Sequence, residues 1–111
     1  MSSSEPAANP VRGEAMLRVA GVCTVLRPSF QALVAAEQEL GPLFALVERA
    51  AEGRLGLGEM VALFWHCLAA SSGGPPEGMT RAQFGEGVAA AGLAQATPVL
   101  RVLLGQILAG R

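Results

Sequence analysis

The sequence predicts a mainly α domain of the α+β class, in which an N-terminal β-hairpin packs on a compact bundle of about five short helices. One basis is an early run of β-branched residues around a candidate turn. Another is a series of apolar residues at helical spacing, separated by glycine and proline. The third is size, because 111 residues suffice for one hydrophobic core and are too few for two.

The chain divides into a short polar start and one domain. Residues 1–13 combine Ser, Pro, Ala and Asn without a periodic apolar pattern, so we expect a disordered N-terminal tail. Residues 14–111 form the single domain. Hydrophobic residues make up 51% of the chain and charged residues 15%, which is typical of a folded chain and leaves much apolar surface to cover.

The hairpin is predicted between residues 15 and 26. Val19 and Val22 flank Ala20 and Gly21, which supply a two-residue turn with glycine where positive φ is needed. This register pairs Leu17 with Thr24. One face of the hairpin then carries Leu17, Val19, Val22, Thr24 and Leu26, and the other carries Met16, Arg18, Cys23 and Val25. An isolated hairpin is marginal in water, so the first face should pack on the helices that follow.

Helix signals punctuate the rest of the chain. Ser29 reads as the N-cap of a first helix that ends at Gly41, and Pro42 opens a second that ends at Gly53. A third helix covers about residues 58–70, before a flexible loop at 71–78. Thr80 and Gln83 form a capping box for a fourth helix ending near Gly92, and Thr97 with Pro98 starts a fifth that reaches about Ala109.

The fifth helix carries the most informative pattern. Its apolar side chains cover an arc of about 240° on a helical wheel, against the ~100° that one core contact requires. They are Val99, Leu100, Val102, Leu103, Leu104, Ile107 and Leu108. Two interpretations stay open: a central helix wrapped by the others, or a helix that leaves apolar surface for a partner. The third helix, broadened by Val61 and Trp65, raises the same question.

Charge and cysteine content argue against several classes of function. The net charge is −1 and the arginines are dispersed, so nucleic-acid binding lacks its main driving force. Cys23 and Cys67 have no Cys or His neighbours at metal spacing, and we expect no metal or cofactor. Residues 60–70, the longest apolar stretch, fall short of the ~20 residues that span a bilayer. We expect a cytoplasmic protein with reduced thiols and no membrane partner.

Catalysis is the weakest of the functional hypotheses. His66 is the only histidine and has no evident helper, and the helical wheel places it opposite the buried side of the third helix, with Ala62 and Ala69. Cys67 lies in the apolar stripe, where a thiolate is costly. A small enzyme or redox protein using His66 and Cys67 is therefore a second alternative only, and we predict no enzyme and no catalytic residues.

Several short motifs, in order along the chain, resemble the tail assembly chaperone family of phage-like gene transfer agents. They are residues 12–15 (RGEA), 17–21 (LRVAG), 26–30 (LRPSF), Ala32 with Leu33, Glu37, Leu40 with Gly41, residues 53–57 and residues 91–93 (AGL). The resemblance covers about residues 12–110. It implies a role in building a siphophage-like tail, as a chaperone that binds the tape-measure protein, the tail tube protein or both, and it supplies no site residues.

The residues suit a protein that grips other proteins, because such a chaperone needs exposed apolar grooves and no catalytic group. The candidate contact residues are Phe64, Trp65, Leu100, Leu103 and Leu104. Copies of the chain itself are a further candidate partner. The first alternative is a structural tail subunit retained in the particle, such as a tube protein; tube subunits are rich in long β-strands, and only one hairpin is predicted here.

Overall fold

A computed structural model describes residues 15–19, 22–69 and 78–109 of the chain. Within these residues a hairpin precedes five helices, which confirms the predicted fold class. The elements are β1 (Ala15–Val19), β2 (Val22–Leu26), α1 (Phe30–Leu40), α2 (Leu43–Ala51), α3 (Leu57–Ala69), α4 (Arg81–Ala91) and α5 (Leu93–Ala109). The predicted tail, the Ala20-Gly21 turn and residues 71–77 of the predicted loop lie outside the described residues.

The hairpin has the register that the sequence predicts. β1 and β2 are antiparallel, with Leu17 opposite Thr24 and Val19 opposite Val22. Leu17, Val19 and Leu26 are buried, so the apolar face of the hairpin packs on the helices. Thr24 is the one polar member of this face, and its hydroxyl donates to the Leu17 carbonyl at 2.7 Å. The buried hydroxyl is therefore satisfied within the sheet itself.

Helix α3 is the centre of the core. It packs against α1, α4 and β2, and its residues from Met60 to Phe64 are buried without interruption, as are Cys67 and Leu68. Ala62, which the helical wheel places on the outer side, is buried as well. The expectation of a one-sided α3 is therefore wrong for the middle of the helix, because neighbouring elements cover it from several directions.

The helix boundaries follow local capping chemistry. The Ser29 side chain accepts the Ala32 backbone N–H at 3.2 Å, which caps α1. Gly41 ends α1 with φ of 90°, a conformation that favours glycine. Thr80 and Gln83 form the predicted reciprocal capping box at the start of α4, with N···O distances of 3.1 and 2.9 Å. These local signals explain why three boundaries agree with the sequence prediction.

The start of α5 differs from the prediction. The helix begins at Leu93, directly after Gly92, and Pro98 lies inside it instead of opening it. Proline removes one backbone donor, and the neighbouring Thr97 hydroxyl donates to the Leu93 carbonyl at 2.7 Å. α4 and α5 meet at 112°. In the described part of the chain no single helix is long and apolar enough to cross a membrane, while this bent pair passes that test by length and composition.

We predict that Phe64→Ala will lower the free energy of unfolding by about 3–5 kcal/mol, because it leaves a cavity at the centre of the core. The measurement is chemical denaturation followed by circular dichroism. Phe44→Ala is the matched control, since the Phe44 side chain is 79% exposed and its removal should change the free energy little. Similar effects of the two substitutions would contradict the assignment of Phe64 to the core.

Candidate protein-binding groove

An apolar groove separates α2 from α5 on the surface of the domain. Val47, Ala50 and Ala51 of α2 form one wall, and Thr97, Leu100, Leu104 and Leu108 of α5 form the other. The groove has a volume of about 480 Å³. It continues into a second hollow of about 220 Å³, where Leu57 and Met60 of α3 and Leu93 of α5 join the lining. We call this continuous surface the α2–α5 groove.

The two walls run antiparallel. Gly53, just after α2, lines the groove together with Leu93 at the start of α5, whereas Val47 lines it together with Leu108 near the end of α5. The α5 wall follows from helical spacing, since Leu93, Thr97, Leu100, Leu104 and Leu108 recur every three or four residues. The opposite side of α5, with Val99 and Leu103, is buried. Of the two interpretations of α5, the structure supports the one with apolar surface left over.

Large apolar side chains are exposed along this groove. Leu108 is 60% exposed, and Leu93 and Leu57 are also exposed at the other end. Phe44 is also exposed; it precedes Val47 by three residues and Ala51 by seven, so helical spacing places it on the same side of α2, although it lines neither hollow. Contiguous exposed apolar surface of this kind marks interaction sites in soluble proteins.

The structure separates the five predicted contact residues into three groups. Leu100 and Leu104 line the α2–α5 groove and are partly buried against the core. Phe64 and Leu103 are fully buried core residues and do not reach the groove. Trp65 lies elsewhere, half-buried between α3 and α4, with its ring centroid 5.7 Å from that of Phe84. The contact assignment itself remains a prediction for all five.

Sequence reasoning missed Phe44 as an exposed apolar residue on the groove side of α2. A core stripe through Leu43, Leu46, Val47 and Ala50 accounts for α2 and leaves Phe44 unused. The sequence did contain a signal for this residue: a large aromatic side chain beside a complete core-facing stripe makes the apolar face of the helix wider than one core contact requires. The same reasoning identifies Leu93, which precedes the predicted start of the fifth helix and so was not assigned to it.

One ion pair holds the α2 wall in place. The guanidinium of Arg49 on α2 pairs with the carboxylate of Glu59 on α3. The other oxygen of Glu59 accepts the Gly56 backbone N–H at 3.1 Å. The Gly56 hydrogen bond and Arg49 both lower the pKa of Glu59. Glu59 therefore stays ionised and links α2 to the start of α3.

A second polar cluster joins α1, α3 and α4. Glu39 accepts hydrogen bonds from both terminal nitrogens of Arg81, one at 3.0 Å, and its Oε1 lies 2.8 Å from Nε2 of His66. The Arg81 hydrogen bonds, followed by the His66 contact, lower the pKa of Glu39 to about 2. His66 thus has the helper that the sequence did not reveal, and Glu39 is a helix-linking group rather than a solvated carboxylate.

This cluster does not resemble catalytic machinery. His66 is engaged with a carboxylate that Arg81 already neutralises, and the cluster lines none of the hollows described above. Burial raises the pKa of the Cys67 thiol to about 12, which disfavours the thiolate that a nucleophile requires. Among residues 15–19, 22–69 and 78–109, no group of three or more His, Cys, Asp or Glu side chains could hold a metal ion.

Fold and groove together define a small helical domain with a surface suited to binding another protein. A family model described as "Phage tail tube protein, GTA-gp10" matches residues 12–110. This chain belongs to that family, and so to the proteins of phage and gene transfer agent tails. Comparisons with curated proteins and with solved structures gave no match.

The family corrects the predicted function. Its description is that of a tail tube protein, a structural subunit, so the prediction of a tail assembly chaperone is wrong. The resemblance to proteins of gene transfer agent tails is confirmed, and the chaperone role inferred from that resemblance is not. A structural tail family also favours a protein without enzymatic activity, and its partners are tail components in general.

We predict that Glu39→Gln will flatten the pH dependence of stability between pH 4.5 and 2. The pKa of Glu39 is lowered from 4.5 to about 2 in the folded protein. Its stabilising effect is therefore complete above pH 4.5 and disappears as the pH falls towards 2. Glu39 is 39% exposed, so solvent screening keeps the effect modest.

Thermal unfolding followed by circular dichroism from pH 7 to pH 2 checks this. The unfolding temperature of Glu39→Gln should lie below that of the wild type at pH 7 and converge with it in acid. Glu48→Gln is the control, because Glu48 has no ion-pair partner within the described ranges. A constant difference between wild type and Glu39→Gln at every pH would contradict the prediction.

Proposed function

We propose that this chain is a structural subunit of a phage-like tail and remains in the finished particle. The match of the tail tube family to residues 12–110 is the observation that carries the proposal, because it covers both the hairpin and all the described helices. In this proposal the protein is not an enzyme, and it acts by occupying a fixed place in an assembly.

The surface of the domain supports a role in assembly. Interfaces between copies of one chain have a core that is more apolar than the rest of the protein surface. The α2–α5 groove, with the exposed Leu108 and Leu93 along it, is such an area. The Cys67 thiol is buried, and the Glu39 carboxylate is already in contact with Arg81 and His66, so neither group favours an enzymatic role.

The structure limits how such a subunit can contribute to a tail. In the described residues the only sheet is the β1–β2 hairpin, with strands of five residues each. A tube wall built from long strands is not available within these residues. We therefore assign the main contacts between subunits to helical surfaces, with the hairpin serving to anchor α5 and α4.

The partners in this proposal are other tail proteins, assembled in the cytoplasm of the host cell. Further copies of the chain come first among them, since tail structures repeat. Contact with the tape-measure protein remains a prediction, which cross-linking within purified particles followed by mass spectrometry of the linked peptides would test.

The proposal predicts that purified particles contain many copies of this chain per tail. Quantitative mass spectrometry with isotope-labelled reference peptides measures its ratio to the other tail proteins. The ratio should be the same in independent preparations and should survive washing at high salt, because apolar contacts are not screened by ions. An abundant host protein quantified in the same samples is the control for carry-over. Absence of the chain, or a trace amount that washing removes, would refute the proposal.

A further inference from the structure

A second exposed apolar surface lies on α1, away from the α2–α5 groove. Phe30 is 82% exposed at the start of the helix, and Val34 is exposed one turn later. Glu37 and Gln38 follow on the same face, where they line a shallow hollow with Val34, Gly41 and Pro42. We call this surface the α1 ridge. It combines a protruding phenyl ring with an acidic end.

We propose that the α1 ridge of one copy docks into the α2–α5 groove of a second copy of this chain. The inference rests on the proposed function, because it names the partner of the groove in a repeating tail structure. The two surfaces differ from each other, so the contact is head-to-tail. Each added copy leaves one groove and one ridge free, and such contacts close into rings or continue into filaments.

The charges of the two surfaces are complementary. α1 contains two glutamates and no basic residue, whereas α5 contains Arg101 and no acidic residue. Glu39 is already paired with Arg81 and in contact with His66. The Glu37 carboxylate accepts the Leu43 backbone N–H at 3.2 Å, and neither Glu37 nor Arg101 has an ion-pair partner in the part of the chain that the structure describes.

The spacing of the two surfaces also agrees. Phe30 and Glu37 are seven residues apart on α1, which is about 10 Å along a helix axis at a rise of 1.5 Å per residue. Leu108 and Arg101 are also seven residues apart on α5. When Phe30 meets the apolar end of the groove at Leu108, Val34 meets Leu104 and Glu37 reaches Arg101. One antiparallel arrangement of α1 on α5 thus satisfies both the apolar and the charged contacts.

The shallow hollow of the α1 ridge can accommodate the Arg101 side chain of the second copy. It has a volume of about 430 Å³ and is lined by Glu37 and Gln38 beside the apolar Val34 and Pro42. An arginine side chain suits such a site, because its aliphatic stem covers apolar surface while the guanidinium reaches a carboxylate. Arg101 projects from the rim of the groove and is exposed. The docked arrangement therefore covers surface on both partners.

A complementation experiment tests this interface. Phe30→Asp removes the protruding phenyl ring of the α1 ridge. An acidic residue at the first position of α1 interacts favourably with the helix dipole, so this variant should remain folded. Leu104→Arg blocks the groove from its partly exposed wall. Wild-type protein should associate with increasing concentration, and each variant alone should associate at least about tenfold more weakly. Sedimentation velocity of the full chain measures the species.

The decisive sample is an equal mixture of the two variants. Phe30→Asp still has an intact groove and Leu104→Arg an intact ridge, so together they form one complete interface. The mixture should give a dimer of one copy of each and nothing larger. Val102→Arg is the control, because Val102 lies on the side of α5 away from the groove, and this variant should associate like the wild type.

A second measurement addresses the charged contact. Arg101→Glu and Glu37→Arg should each weaken association, and the chain with both substitutions should regain it. Circular dichroism establishes that each variant is folded. A wild type that stays monomeric, or a mixture that stays monomeric while the wild type associates, overturns the inference. Neither result removes the chain from purified particles, so failure of this interface is distinct from failure of the proposed function.

Discussion

Burial of α3 is the constraint on which the rest of the structure depends. The hairpin, α1 and α4 cover the middle of α3 so completely that five consecutive side chains are buried. α2 and α5 are left to pack at the periphery, α2 on α1 and α5 on β1 and α4. The apolar content of a small, weakly charged chain therefore exceeds what its own core can take up, and the excess appears between these two outer helices.

Polar contacts position the helices around this core at its edges. Glu39 receives Arg81 and His66 from two other helices, and Arg49 with Glu59 ties α2 to α3. Both clusters are partly exposed, so they orient helices more than they stabilise the fold. The α2 wall of the groove thus has a defined position, although α2 itself has few neighbours.

The sequence-based predictions were accurate where a feature depends on residues that are close in sequence, and less accurate where it depends on distant ones. The hairpin register, the Ser29 cap and the capping box at Thr80 depend on neighbouring residues, and all three were confirmed. The start of α5 was wrong, because Pro98 is accommodated inside a helix whose start Gly92 sets. A helical wheel could not separate the buried Leu103 from the groove-lining Leu104, since that depends on which elements pack nearby. Resemblance to a tail family led to the right assembly and the wrong role within it.

Most side chains that line the α2–α5 groove are aliphatic; Arg101 lies at its rim, and the Thr97 hydroxyl already donates to the Leu93 carbonyl. Aliphatic contacts have no preferred direction, and the free energy of burying them changes little when two surfaces rock by a few degrees. A contact of this kind tolerates small changes in the angle between two subunits. A long tube held together by many such contacts would bend smoothly without breaking any one of them, and its curvature would be shared among all its subunits.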